Sequence, residues 1–167
     1  MMSTVNGKEQ GTATTRILIV DDHPIVRAGY SLLINRQPDL EICGETDTAG
    51  EALRLARDEN PHLVIIDLTL KSGNGLELCK QLAHMNSGLP MLVISAHDEQ
   101  LYADRALRCG ARGFINKEEA TTKLVEAIRT VMAGKVWLSP RMTDRLLARV
   151  GSGGSPAASP MESLSDR

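Results

Sequence analysis

Five residues with ionisable or hydroxyl side chains stand where short apolar runs stop: Asp21 and Asp22 after RILIV, Asp67 after HLVII, Ser95 at the end of LPMLVIS, and Lys117 after ARGFIN. A charge at the mouth of a buried run is costly unless something there uses it. Clustered carboxylates repel one another and raise each other's pKa unless a cation sits among them. Two or three such oxygens with positions left open suit Mg2+, which keeps several waters and accepts phosphate oxygens. A carboxylate can also attack phosphorus, giving an aspartyl phosphate. Asp67 is the candidate for that attack and Lys117 for neutralising the charge that develops. Ser95 can donate to a phosphoryl oxygen. Any one of these residues alone reads equally well as a helix cap or a solvated loop charge; their recurrence at matching strand ends makes the case for a site.

The elements that must position them follow from periodicity. RILIV (16–20), LEICGET (40–46), HLVII (62–66), Leu89 to Ser95 and ARGFIN (111–116) are short, aliphatic and rich in β-branched residues, as strands buried on both faces are. Pro90 falls at the start of the fourth, where its missing N–H is tolerated. Helical spacing fills the intervals. Pro24 opens a helix carrying Ile25, Gly29, Leu32 and Leu33; a second runs from Glu51 to Glu59; a third from about Gly75 carries Leu76, Cys79 and Leu82. Asp98 caps a fourth with Tyr102, Ala106 and Leu107, and Glu118 to Met132 forms a fifth with an apolar stripe of Leu124, Val125, Ile128, Val131 and Met132. Five strands alternating with five helices predict an α/β doubly wound parallel sheet over residues 16–133. Functional groups in such sheets gather outside the carboxyl ends of the strands, near the point where strand order reverses.

Bulk properties narrow the function classes. The 167-residue chain is 42% hydrophobic and 24% charged, ordinary for a globular domain, and its net charge of −2 gives no basic footprint for nucleic acid. The three cysteines, Cys43, Cys79 and Cys109, are far apart and outside any CxxC spacing, so they read as reduced, buried thiols in a cytoplasmic protein. Residues 1–15 are polar, without the apolar core of a signal peptide, and are expected to be a disordered tail. No apolar run is long enough to span a membrane. Residues 134–150 are expected to form an extension with a short extra helix over 141–150, and GSGGSPAASP (151–160) reads as a flexible linker.

ILIVDDHPIVRAG, LVIIDLTLKSGNGLEL, LVISAHDE and CGARGFINK together resemble the receiver domain of two-component response regulators over about residues 16–133. DDHP and GKVWLSP are similar to the NarL/FixJ branch, whose members usually carry a C-terminal LuxR-type helix-turn-helix. The resemblance implies a flavodoxin-like receiver fold with strand order 2-1-3-4-5. It makes Asp67 the phosphoacceptor, Asp22 a direct Mg2+ ligand, Asp21 a ligand mainly through metal-bound water, and the Thr69 backbone carbonyl a further ligand. Ser95 becomes the switch hydroxyl, Phe114 the switch aromatic that rotates inward, and Lys117 the phosphate-binding lysine. It implies a sensor histidine kinase as partner, homodimerisation on phosphorylation, and DNA binding only through a further C-terminal domain, with LSDR (164–167) similar to the start of one. Such a domain accepts and slowly hydrolyses its own phosphoryl group and is not a turnover enzyme. The chain departs from the family's pattern at Lys71-Ser72 and at Glu118, where many relatives have proline. Thr69 and His97 stand where the family tunes dephosphorylation, and the small Ala96 leaves the site open to a donor.

Other classes fit less well. A flavodoxin-like cofactor module would seat a phosphate on the loop after the first strand, and Asp21-Asp22-His23-Pro24 repels one. A haloacid-dehalogenase-type phosphohydrolase needs a second Asp two residues after the nucleophile, where Thr69 stands. A receiver-like docking or dimerisation domain that works without phosphorylation predicts a missing pocket residue, and every one is present.

Overall fold

The five apolar runs become one parallel sheet. The computed structural model describes residues 13–71 and 73–153, so the expectations for 1–12 and 154–167 lie outside the described residues. In chain order the elements are β1 (Thr15–Val20), α1 (Pro24–Asn35), β2 (Leu40–Thr46), α2 (Ala49–Glu59), β3 (Leu63–Asp67), β4 (Thr69–Leu70), β5 (Gly73–Asn74), α3 (Gly75–Met85), β6 (Met91–Ser95), α4 (Glu99–Arg108), β7 (Gly113–Asn116), α5 (Lys117–Met132) and α6 (Pro140–Gly153). The main sheet has the order β2-β1-β3-β6-β7, all parallel, which is the expected 2-1-3-4-5 once the short β4–β5 pair is set aside. Strand order reverses at β1, which lies between β2 and β3.

Successive residues on a strand point to opposite faces, so each central strand serves two cores. Leu18, Val20, Val64, Ile66, Met91, Val93 and Phe114 pack toward α2, α3 and α4. Ile17, Ile19, Leu63, Ile65, Leu92, Ile94 and Ile115 pack toward α1 and α5. This double burial explains why the strands read as unbroken apolar runs rather than as alternation.

Several boundaries differ from the sequence expectation, each for a reason in the pairing. β3 extends to Asp67, because Asp67 pairs with Ile94 and Leu68 N continues the ladder to Ile94 O at 3.0 Å. β6 begins only at Met91; Pro90 stays outside and contributes its carbonyl to Val64 N at 3.1 Å. α5 starts one residue early, at Lys117, with the Asn116 side chain accepting from Glu118 N at 2.9 Å. The antiparallel β4–β5 pair was not anticipated, since two-residue strands carry no periodicity. The extra helix runs on to Gly153, three residues into the stretch read as linker. Between α5 and α6 the chain returns along the free edge of β7, where Gly113 forms a parallel bridge with Trp137.

Candidate functional site

Asp21, Asp22 and Asp67 arrive together because β1 and β3 are neighbours and end level, with Val20 paired to Ile66. All three are buried: Asp21 is 2% exposed, Asp22 9% and Asp67 3%. Asp67 Oδ1 accepts from Thr69 N at 3.2 Å, and its Oδ2 lies 3.3 Å from Lys117 Nζ. Asp21 Oδ1 accepts from His23 N at 2.8 Å, and Asp22 Oδ2 from Lys71 N at 2.8 Å. That leaves Asp21 Oδ2 and Asp22 Oδ1 buried without a hydrogen-bond partner. Buried carboxylate oxygens of this kind are expensive, and a cation among them removes the cost.

Burial, and then the charge of Asp21, push the Asp67 carboxyl above the usual carboxylate range, while Lys117 and the Thr69 N–H pull it back. Burial, and then the charges of Asp21 and Asp67, hold the Tyr30 phenol well above its ordinary value. The oxygen donors fit Mg2+: ligand atoms of Asp21, Asp22, Asp67 and His23 all lie within 4.8 Å of one another.

Sequence reasoning treated His23 only as the approach to α1. Its Nδ1 lies 2.9 Å from Asp21 Oδ1, 3.1 Å from Asp22 Oδ1 and 3.6 Å from Asp67 Oδ2. The signal was available, since a histidine directly after two strand-end carboxylates cannot be far from them. Ser95 ends the adjacent strand, buried, with its Oγ accepting from His97 N at 2.8 Å. Thr69 Oγ1 and His97 Nε2 meet at 2.9 Å across the mouth of the site. Phe114 lies further down β7, opposite Val93, and is only 1% exposed, so its ring is already inside. The inward rotation that the resemblance implies would start from a ring that is already buried.

The comparisons agree with the geometry. The family model for the response regulator receiver domain matches residues 17–129. The chain is 30% identical to the response regulator GacA of Pseudomonas protegens, over 91% of this chain and 70% of that protein. It is 34% identical to the transcriptional regulatory protein UhpA of Salmonella typhimurium, over 79% of this chain and 66% of that protein. Among solved structures, a LuxR-family two-component response regulator from Aurantimonas sp. SI85-9A1 superposes with a TM-score of 0.76 at 36% identity, covering 82% of this chain and 98% of that one. The receiver domain of NarL from Mycobacterium tuberculosis does so with a TM-score of 0.70 at 27% identity, covering 74% and 100%. This chain belongs to the response regulator receiver family. Within that family it is of the NarL/FixJ type, a signalling domain of two-component systems.

Proposed function

We propose that Asp67 is the phosphoacceptor of a Mg2+-dependent switch, loaded by a sensor histidine kinase and read out through dimerisation and a DNA-binding output. One observation carries this reading: a buried carboxylate beside one ammonium and two buried carboxylate oxygens that accept no hydrogen bond. An Asp67 oxygen attacks phosphorus in line. The bond from phosphorus to the leaving group breaks, and its electron pair departs with the donor's histidine nitrogen, or with acetate when acetyl phosphate is the donor. Bound among Asp21, Asp22, Asp67 and the Thr69 carbonyl, Mg2+ would offset the negative charge of acceptor and donor. Lys117, whose Nζ lies 3.3 Å from Asp67 Oδ2, would meet a phosphoryl oxygen. Ser95 can donate to another once its strand end shifts. Exposed Ile25 and Leu32 on α1, close to Lys117 and Glu118, offer a kinase an apolar footing beside the site. The transcriptional output is proposed from relatives such as UhpA, whose own length extends beyond the matched segment.

The test is intact mass after incubation with acetyl phosphate and Mg2+. A gain of one phosphoryl group, absent in Asp67→Asn and abolished by chelation, supports the reading. No gain, with acetyl phosphate or with a panel of kinases, would leave a docking domain that works without phosphorylation.

A further inference from the structure

Glu99 serves two helices at once. It is the first residue of α4, and its Oε1 accepts from Ser139 Oγ at 2.8 Å while its Oε2 accepts from Ser139 N at 3.2 Å. Ser139 in turn caps α6: its Oγ accepts from Met142 N at 3.0 Å and its carbonyl from Thr143 N at 2.9 Å. A single carboxylate therefore faces the N-terminal ends of two helices, where unpaired N–H groups favour negative charge.

Behind this clasp lies the core around Phe114. Trp137 N donates to Arg112 O at 3.0 Å, and Phe114 N donates to Trp137 O at 3.1 Å, so the returning segment is stitched to β7. Met142, 1% exposed, shares a cluster with Phe114 and with Ala103 and Ala106 of α4. Beyond this first turn α6 exposes apolar side chains, Leu147 at 64% and Val150 at 49%.

The loop that carries Glu99 begins at the candidate site. Ser95 ends β6, and only Ala96, His97 and Asp98 separate it from Glu99. His97 is tied back at both ends, by its N–H to Ser95 Oγ at 2.8 Å and by its ring to Thr69 Oγ1 at 2.9 Å. One short segment is thus fastened beside Asp67 on one side and to α6 on the other.

We propose that residues 95–99 couple Asp67 to α6: when Asp67 carries a phosphoryl group, Ser95 and His97 shift toward it, Glu99 lets go of Ser139, and α6 leaves the α4–β7 face. This rests on Asp67 being the phosphoacceptor. Coupling of this kind is reciprocal, so releasing the clasp must favour the phosphorylated state. A merely structural cap has no such effect.

Beryllofluoride with Mg2+, an equilibrium mimic of the phosphoryl group, tests this on the full 167-residue chain. Its affinity is measured by titration calorimetry and the exposure of α6 by hydrogen exchange in the same solutions. In the wild type, ligand should speed exchange of the α6 amides by about tenfold, with no effect in Asp67→Asn. Glu99→Ala and Ser139→Ala should exchange fast at α6 without ligand and bind beryllofluoride about threefold or more tightly, although neither residue touches Asp67. Ser139→Ala leaves α4 intact should Glu99→Ala disturb that helix. Binding with α6 exchange unchanged would overturn the coupling alone, as would freed α6 with unchanged affinity. No binding by the wild type would remove the phosphoacceptor reading, and the coupling with it.

Discussion

The Lys117 ammonium lies 3.3 Å from Asp67 Oδ2 although Lys117 is the first residue of α5, the end of a helix where a cation is disfavoured. Two carboxylates offset that penalty: Asp21 Oδ2 is a further 3.8 Å contact of the same ammonium. Lys117→Met should cost the metal-free protein roughly 2 kcal/mol in urea unfolding, because Asp67 then loses its counter-charge. Phosphoryl incorporation from acetyl phosphate should fall by about tenfold or more, read by intact mass.

The raised Asp67 carboxyl has a definite sign in pH. The folded protein holds this proton at a pH where the unfolded chain has released it, so metal-free stability falls as pH climbs from the ordinary carboxylate value through Asp67's own. Above that value the ionised group is a standing cost. Asp67→Asn should therefore melt about 4 °C higher than wild type in chelator near neutral pH. The gap should close on acidification to about pH 4 and also on adding Mg2+. Calorimetric scans across that range check both trends; a gap indifferent to pH would sink the argument.

Gly75 shows how tightly the Asp67 end of β3 is held. A Cβ there would come within 2.5 Å of Asp67 O and 2.7 Å of Leu68 Cα, both backbone atoms that cannot step aside. Gly75→Ala should destabilise by roughly 1–3 kcal/mol and slow phosphorylation by displacing Asp67. Gly29 is the control, since a Cβ there meets nothing within 4 Å inside α1. Gly29→Ala should stabilise by about 0.5–1 kcal/mol and leave the chemistry unchanged.

Cys79 is fully buried on α3, and burial pushes its thiol up to about 12. It should be unreactive toward a disulfide reagent in the native protein and react only on unfolding. Cys43 and Cys109 are partly exposed and should react first, despite thiols that burial also raises. Mass spectrometry of the labelled peptides separates the three.

Much of this was legible beforehand because the relevant signals are local. Strands buried on both faces must be apolar at every position, so Ile65 and Ile66 announced β3, and a charge directly after them announced the site. Caps were legible for the same reason: Asp98 accepts from Gln100 N at 2.9 Å as its type and position implied. By position alone His23 reads only as the residue before Pro24, which opens α1. Ser139 and Glu99 were out of reach, being forty residues apart and joined only by the packing of α6 on α4.

The amino-acid sequence by itself determined which segments are strands and helices and which polar residues stand at strand ends, since those depend on side-chain burial and local backbone preference. Only the tertiary structure decided the rest. It sets β1 between β2 and β3, which brings Asp21 and Asp22 level with Asp67. It carries Lys117 across from the end of β7, leaves Asp21 Oδ2 and Asp22 Oδ1 without hydrogen-bond partners, and sets Met142 of α6 against α4 and β7. These are matters of how distant segments meet, and the free energy of such meetings comes from packing the whole sheet between its two helical layers.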